Sequence, residues 1–128
     1  MAERELLNNI DTFRPNAKKV LKEAVLKIKK EKDNSVLFSI TDLEAIMSFK
    51  DEKAKADFKE DPVPFINALI DELLSGWIEF DYGREQIIKY SLFKGIQYSE
   101  VSGLLLIFSE ELIFSEEVIK KTEEALKE

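Results

Sequence analysis

From Ile10 onward, apolar residues recur at Phe13, Ala17, Val20, Leu21, Ala24, Val25 and Ile28. Steps of three and four residues put these positions on one side of an α-helix, so the spacing predicts a long helix with one buried face. Pro15 falls inside the pattern and fits the first turn, where its missing N–H costs nothing. The helix proper is expected over 15–32, and Asp33, Asn34 and Ser35 form a polar stop. Residues 36–40, Val-Leu-Phe-Ser-Ile, read as a short strand. Thr41 with Glu44 three residues on makes a capping box, which starts a short helix carrying Leu43, Ile46 and Met47 on one face. Residues 50–61 are densely charged and read either as an extension of that helix or as a solvated loop. Asp61 before Pro62 marks the next helix start, with Asp61 as N-cap and Pro62 in the first helical position. Phe65, Ile66, Leu69, Ile70, Leu73 and Leu74 give this helix a broad apolar stripe, and Gly76 closes it.

After Gly76 the period drops to two. Ile78, Phe80 and Tyr82 alternate with other residues along a first long strand, and Tyr82, Gly83, Arg84 and Glu85 form a turn. Residues 87–98 read as a second strand, with Ile88, Tyr90 and Leu92 on one face and Lys89, Ser91 and Phe93 on the other; Gly95 suggests a bulge. A second turn over 99–103 leads to a third strand over 104–108. Three strands in series with short connections predict an antiparallel meander. The tail from Glu110, carrying Leu112, Ile113, Val118, Ile119 and Leu126, reads as a closing acidic helix. The expected class is therefore α+β, in the order of a winged helix: helix, short strand, two helices, three-stranded antiparallel meander, C-terminal helix. Another small α+β fold with the same order is the alternative.

Composition narrows the function classes. The 128 residues fit one domain, 1–128, with 45% hydrophobic residues to build its core. The longest apolar stretch, 104–108, falls far short of the ~20 residues of a membrane-spanning helix. The first residues are acidic and polar with no apolar run behind a basic start, so no signal peptide is read. There is no cysteine and hence no disulfide framework, which suits the cytoplasm. There is no histidine, which excludes His-based acid–base catalysis, triads and His-ligated zinc. Four glycines form neither a phosphate loop nor a dinucleotide fingerprint. A carboxylate pair can in principle cleave a glycoside, but with 26 acidic residues pairs arise by chance, and none sits in a Gly-rich or aromatic setting. No enzyme activity, cofactor, metal or small-molecule substrate is expected.

Two stretches carry a resemblance. Ile40-Thr41-Asp42-Leu43, followed by residues 65–78 (Phe-Ile-Asn-Ala-Leu-Ile-Asp-Glu-Leu-Leu-Ser-Gly-Trp-Ile), and residues 92–112 with their Tyr98, the turn at Gly103 and the closing Phe108-Ser109-Glu110-Glu111-Leu112, form the first of these patterns and the second. Together they resemble the N-terminal winged-helix domain of iteron-binding plasmid replication initiator (Rep) proteins. The likeness spans about residues 15–113. Family members usually carry an arginine near the position of Gly76, which this chain lacks. The resemblance implies a first domain that dimerises and touches the DNA backbone, while a second winged-helix domain reads plasmid origin DNA. The chain is then the N-terminal fragment of a longer initiator, a lone paralogue, or an unrelated winged helix.

The charge distribution bears on that implication. Net charge is −7, unusual for a free-standing nucleic-acid binder. Residues 14–32, however, carry eight cations against Glu23 and Glu31. At 100° per residue, Lys18, Lys19, Lys22, Lys29 and Lys30 lie away from the apolar face, with Leu26 among them. With Arg14 they are the candidate DNA-backbone contacts; a solvated helix face is the plain alternative. The helix over 62–75 has Asp71 and Glu72 and no Lys or Arg, so it is not expected to read a groove. Nine Phe, three Tyr and one Trp are a heavy aromatic load for 128 residues, and most are expected in the core. Trp77, Phe93 and Leu105 fall on the strand faces opposite the chosen core set and are the candidate homodimer interface, since a sheet apolar on both faces needs two covers. The competing reading is a small acidic protein-interaction module, a secretion-chaperone-like dimer with no DNA role.

Overall fold

The computed structural model describes residues 5–83 and 86–127. The apolar stripe that opens the chain becomes α1, Pro15–Glu31, with Pro15 in its first turn and Ala17, Val20, Leu21, Ala24, Val25 and Ile28 buried. The helix stops where Lys32 turns left-handed (φ 56°) and its N–H donates to the Ile28 carbonyl at 2.7 Å. Ahead of α1 stand a strand that the sequence pattern did not reveal, β1 (Glu5–Asn8), and a 3-10 turn, Ile10–Thr12. The short strand follows as β2, Ser35–Phe38.

Helix α2, Ile40–Ile46, begins one step before the predicted cap. Ser39, not Thr41, is the N-cap. Its Oγ accepts the Asp42 N–H at 3.0 Å, and the Asp42 carboxylate accepts the Ser39 N–H at 3.0 Å. Two overlapping cap signatures sit side by side here, and the earlier one forms. The charged run resolves into a separate helix, α3 (Glu52–Glu60), started by Asp51, whose Oδ1 accepts the Ala54 N–H at 2.8 Å, and anchored by the buried Phe58. Helix α4 spans Val63–Leu74, with Pro62 rather than Asp61 at the N-cap and Ser75 at the C-cap.

The strands form two sheets and not the single expected meander. β3 (Trp77–Asp81) and β4 (Ile87–Ser91) pair with β1 in one antiparallel sheet, order β1–β3–β4. β5 (Phe93–Ser99) and β6 (Gly103–Phe108) pair with β2 in another, order β2–β6–β5. The expected strand over 87–98 breaks at Leu92. Leu92 and Phe93 are both buried, and consecutive residues of one flat strand point to opposite faces, so both enter the core only if the chain turns between them. Leu92 serves as the joint: its N–H donates to the Gly76 carbonyl and its carbonyl accepts the Ser109 N–H. The bulge at Gly95 is present as a register shift between Phe93 and Gly95. The tail is two helices rather than one: α5 (Glu110–Phe114) and α6 (Glu116–Ala125), divided at Ser115, whose Oγ accepts the Val118 N–H at 3.2 Å. Arg84 and Glu85, assigned to the first turn, lie outside the described residues.

The class is mixed α+β with two small antiparallel sheets. One apolar cluster joins both, running from Leu6, Ile78 and Phe80 through Leu21 and Leu73 to Phe38, Leu106 and Phe108. Helix α1 touches α2, α4, α6 and β2. Among the described residues no helix is long and apolar enough to cross a membrane.

Candidate nucleic-acid interface

Because α1 buries one face and meets neighbours on its flanks, its cations do not share one environment. Lys22 and Lys30 are exposed and have no ion-pair partner among the described residues, and the same holds for the Arg14 guanidinium. Leu26 stands between Lys22 and Lys30 and is 47% exposed. Lys29 is drawn aside by α6, where Glu123 accepts from its Nζ at 2.9 Å. Lys19 reaches the α2–α3 connection and hydrogen-bonds the Ser48 hydroxyl. Lys18 is half-buried. Lys27, on the same helix but outside the candidate set, lies over the Phe38 ring at 4.9 Å from its centroid.

The six candidates therefore divide. Arg14, at the N-cap, and Lys22 and Lys30, each about two turns further along, stand open to an anion. Lys19 and Lys29 are engaged with partners 29 and 94 residues away in sequence, which helical projection alone does not reveal. The Lys29–Glu123 pair is solvent-exposed, and such pairs hold by only ~0–1 kcal/mol, so a phosphate can displace the glutamate. The first turn of α1 contains no acidic residue of its own, but the Glu72 carboxylate of α4 stands at its start and accepts the Arg14 N–H at 3.0 Å.

Helix α4 is the contrast. Its exposed positions include Val63, Phe65, Asn67, Ala68, Asp71 and Leu74, with no cation among them. An apolar and acidic surface has nothing with which to neutralise phosphates.

The three candidate interface residues also separate. Phe93 is 4% exposed and packs on Phe108 with ring centroids 4.6 Å apart, so it belongs to the chain's own core and not to an outer face. Trp77 is half-buried, with the Lys89 ammonium 4.2 Å from its ring centroid. Leu105 is half-buried in the centre of its sheet, directly opposite Leu37 of β2. Leu37 is 50% exposed. Its place between the buried Val36 and Phe38 marks it as the residue of β2 that points away from the core.

No group of three or more acidic side chains suited to a metal ion occurs among the described residues. Neither titratable group with a resolved shift, Asp42 or Tyr98, lies on the basic face. No family model, no curated protein and no solved structure matches the chain.

Proposed function

We propose that this chain is a non-catalytic domain of the winged-helix type, of the plasmid replication initiator kind, that dimerises and holds duplex DNA by its phosphate backbone without reading sequence. The observation that carries the reading is the division of charge between two helices: exposed cations gather on α1, and α4 presents none. Contacts to phosphates position a protein on DNA, whereas base contacts specify the site, so site selection falls to a second domain. The winged-helix assignment draws on the sheet order β2–β6–β5, in which the strand after α1 pairs with the last strand of a hairpin that follows α2 and α4. The β5–β6 hairpin is then the wing. The dimer draws on the Leu37–Leu105 face, apolar and open.

Fluorescence anisotropy with duplexes of unrelated sequence tests this. Wild type binds all of them alike at low salt, and Lys22→Glu/Lys30→Glu weakens binding by about tenfold or more, since two phosphate contacts become repulsions. Equal binding by the double variant removes α1 as the interface. A chain that binds no duplex even at low salt is instead a protein-interaction module, the reading favoured by the exposed apolar residues of α4.

A further inference from the structure

We propose that Glu123 of α6 is a built-in competitor for phosphate at Lys29, so that the acidic helix α6 holds down the DNA affinity of α1. The inference rests on the reading of α1 as the phosphate-binding helix and adds its regulation.

The position of the competitor follows from packing. Val118 and Thr122 of α6 and its C-cap Leu126 are buried, at steps of four residues that make one face of a helix. That face seats α6 against β1, the 3-10 turn and α1. Glu123 follows Thr122 by one residue, about 100° round the helix, and so lies at the border of the buried face. Its carboxylate meets the Lys29 ammonium at 2.9 Å from a backbone that the core fixes in place. Lys22 and Lys30 have no ion-pair partner among the described residues, so the carboxylate closes one edge of a basic face that is otherwise open there.

The contact is of the kind that a phosphate makes. A carboxylate oxygen and a phosphate oxygen accept from an ammonium in the same charge-assisted way. A rival on the same chain meets Lys29 without having to diffuse to it. Its grip is weak enough to be reversible: the two side chains are 48% and 35% exposed, and a pair so open to water is readily exchanged. Glu72, the other carboxylate beside α1, plays a different part. It accepts a backbone N–H, that of Arg14, and so satisfies a donor at the start of the helix. Glu123 accepts from the Lys29 side chain and from no backbone N–H among the described residues, so the fold does not depend on its charge.

Glu123→Gln keeps the size of the side chain and removes the charge. Fluorescence anisotropy of the full chain with a short duplex, at low and moderate salt, reads the effect. Glu123→Gln is expected to bind about threefold or more tightly than wild type. Its affinity also falls more steeply with salt, because in wild type the displaced carboxylate takes up a cation while the phosphate gives one up. Glu124→Gln removes the same charge from the next, exposed position and changes affinity by less than about twofold. In a Lys29→Gln background the gain from Glu123→Gln also falls below about twofold, since no ammonium is left to release. Unchanged urea midpoints confirm that the variants fold. Equal affinity of Glu123→Gln and wild type, or an equal gain from Glu124→Gln, overturns the competitor and leaves α1 as the DNA face. Binding of the duplex by neither wild type nor Glu123→Gln overturns both readings together, and binding by Glu123→Gln alone supports the competitor in its strongest form.

Discussion

At Gly103 the backbone leaves no place for a side chain. Its φ is +104°, and a Cβ there would stand 2.1 Å from the Phe38 carbonyl oxygen and 2.9 Å from the Ser39 Cα. Both are backbone atoms at the junction of β2 and α2, so neither can step aside. Gly103→Ala is expected to lower unfolding stability by about 3 kcal/mol or more, read by urea denaturation. Gly76 is tight for another reason: a Cβ would meet the side-chain ends of Leu92 at 2.4 Å and Phe13 at 2.8 Å, both buried. Gly76, expected as the helix stop, follows the C-cap Ser75 directly. The stop is Ser75, and Gly76 is small because Leu92 and Phe13 pack against it. Asn9 brackets the same point, donating to the Ser75 carbonyl and accepting the Trp77 N–H, both at 2.9 Å. Asn9→Ala, which removes the partner of the part-buried Trp77 N–H and leaves the exposed Ser75 carbonyl to water, is expected to cost about 1 kcal/mol in the same assay.

At the scale of elements, the start of α2 is held by its capping pair, and Ser39→Ala is expected to cost about 1 kcal/mol. The pair also carries a pH signature. The Ser39 backbone N–H and then its hydroxyl hold the Asp42 carboxyl below its ordinary value, and Lys27 adds to this. A carboxyl lowered in the native state contributes stability above the unfolded-state value, near pH 4, and loses it as pH falls through the native value. The stability difference between wild type and Asp42→Asn should therefore be full at neutral pH and shrink on acidification below about pH 4; a difference constant down to pH 2 contradicts the cap. Elements with strong local period were legible. Helix α1 ends one residue from its expected limit because six buried positions at helical spacing define it. β1 was not legible: only Leu6 of its four residues is buried, and its identity rests on pairing with β3 some seventy residues later, Leu6 opposite Phe80. The division of the strands into two sheets was equally hidden, because the turn at Leu92 contains no glycine or proline and follows from tertiary packing alone.

For the whole molecule, the central question is which surfaces face partners. The cations of α1 were legible from helical projection. That Lys29 and Lys19 are partly engaged was not, since both partners arrive from distant segments. The apolar sheet face was half legible: Leu105 was singled out, its neighbour Leu37 was not, and Phe93 was placed outside although the break at Leu92 turns it inward. Analytical ultracentrifugation checks that face. A dimer is expected, and Leu37→Glu or Leu105→Glu should shift it to monomer, because each buries a charge without a partner. A wild-type monomer at high concentration contradicts the dimer.

The most direct measurement is an amide chemical-shift titration of the chain with a short duplex at low salt. If α1 holds the phosphates, Arg14, Lys18, Lys22, Leu26 and Lys30 show fast-exchange shifts that collapse when salt is raised, with α4 unmoved. Shifts centred on α4 that resist salt would contradict it.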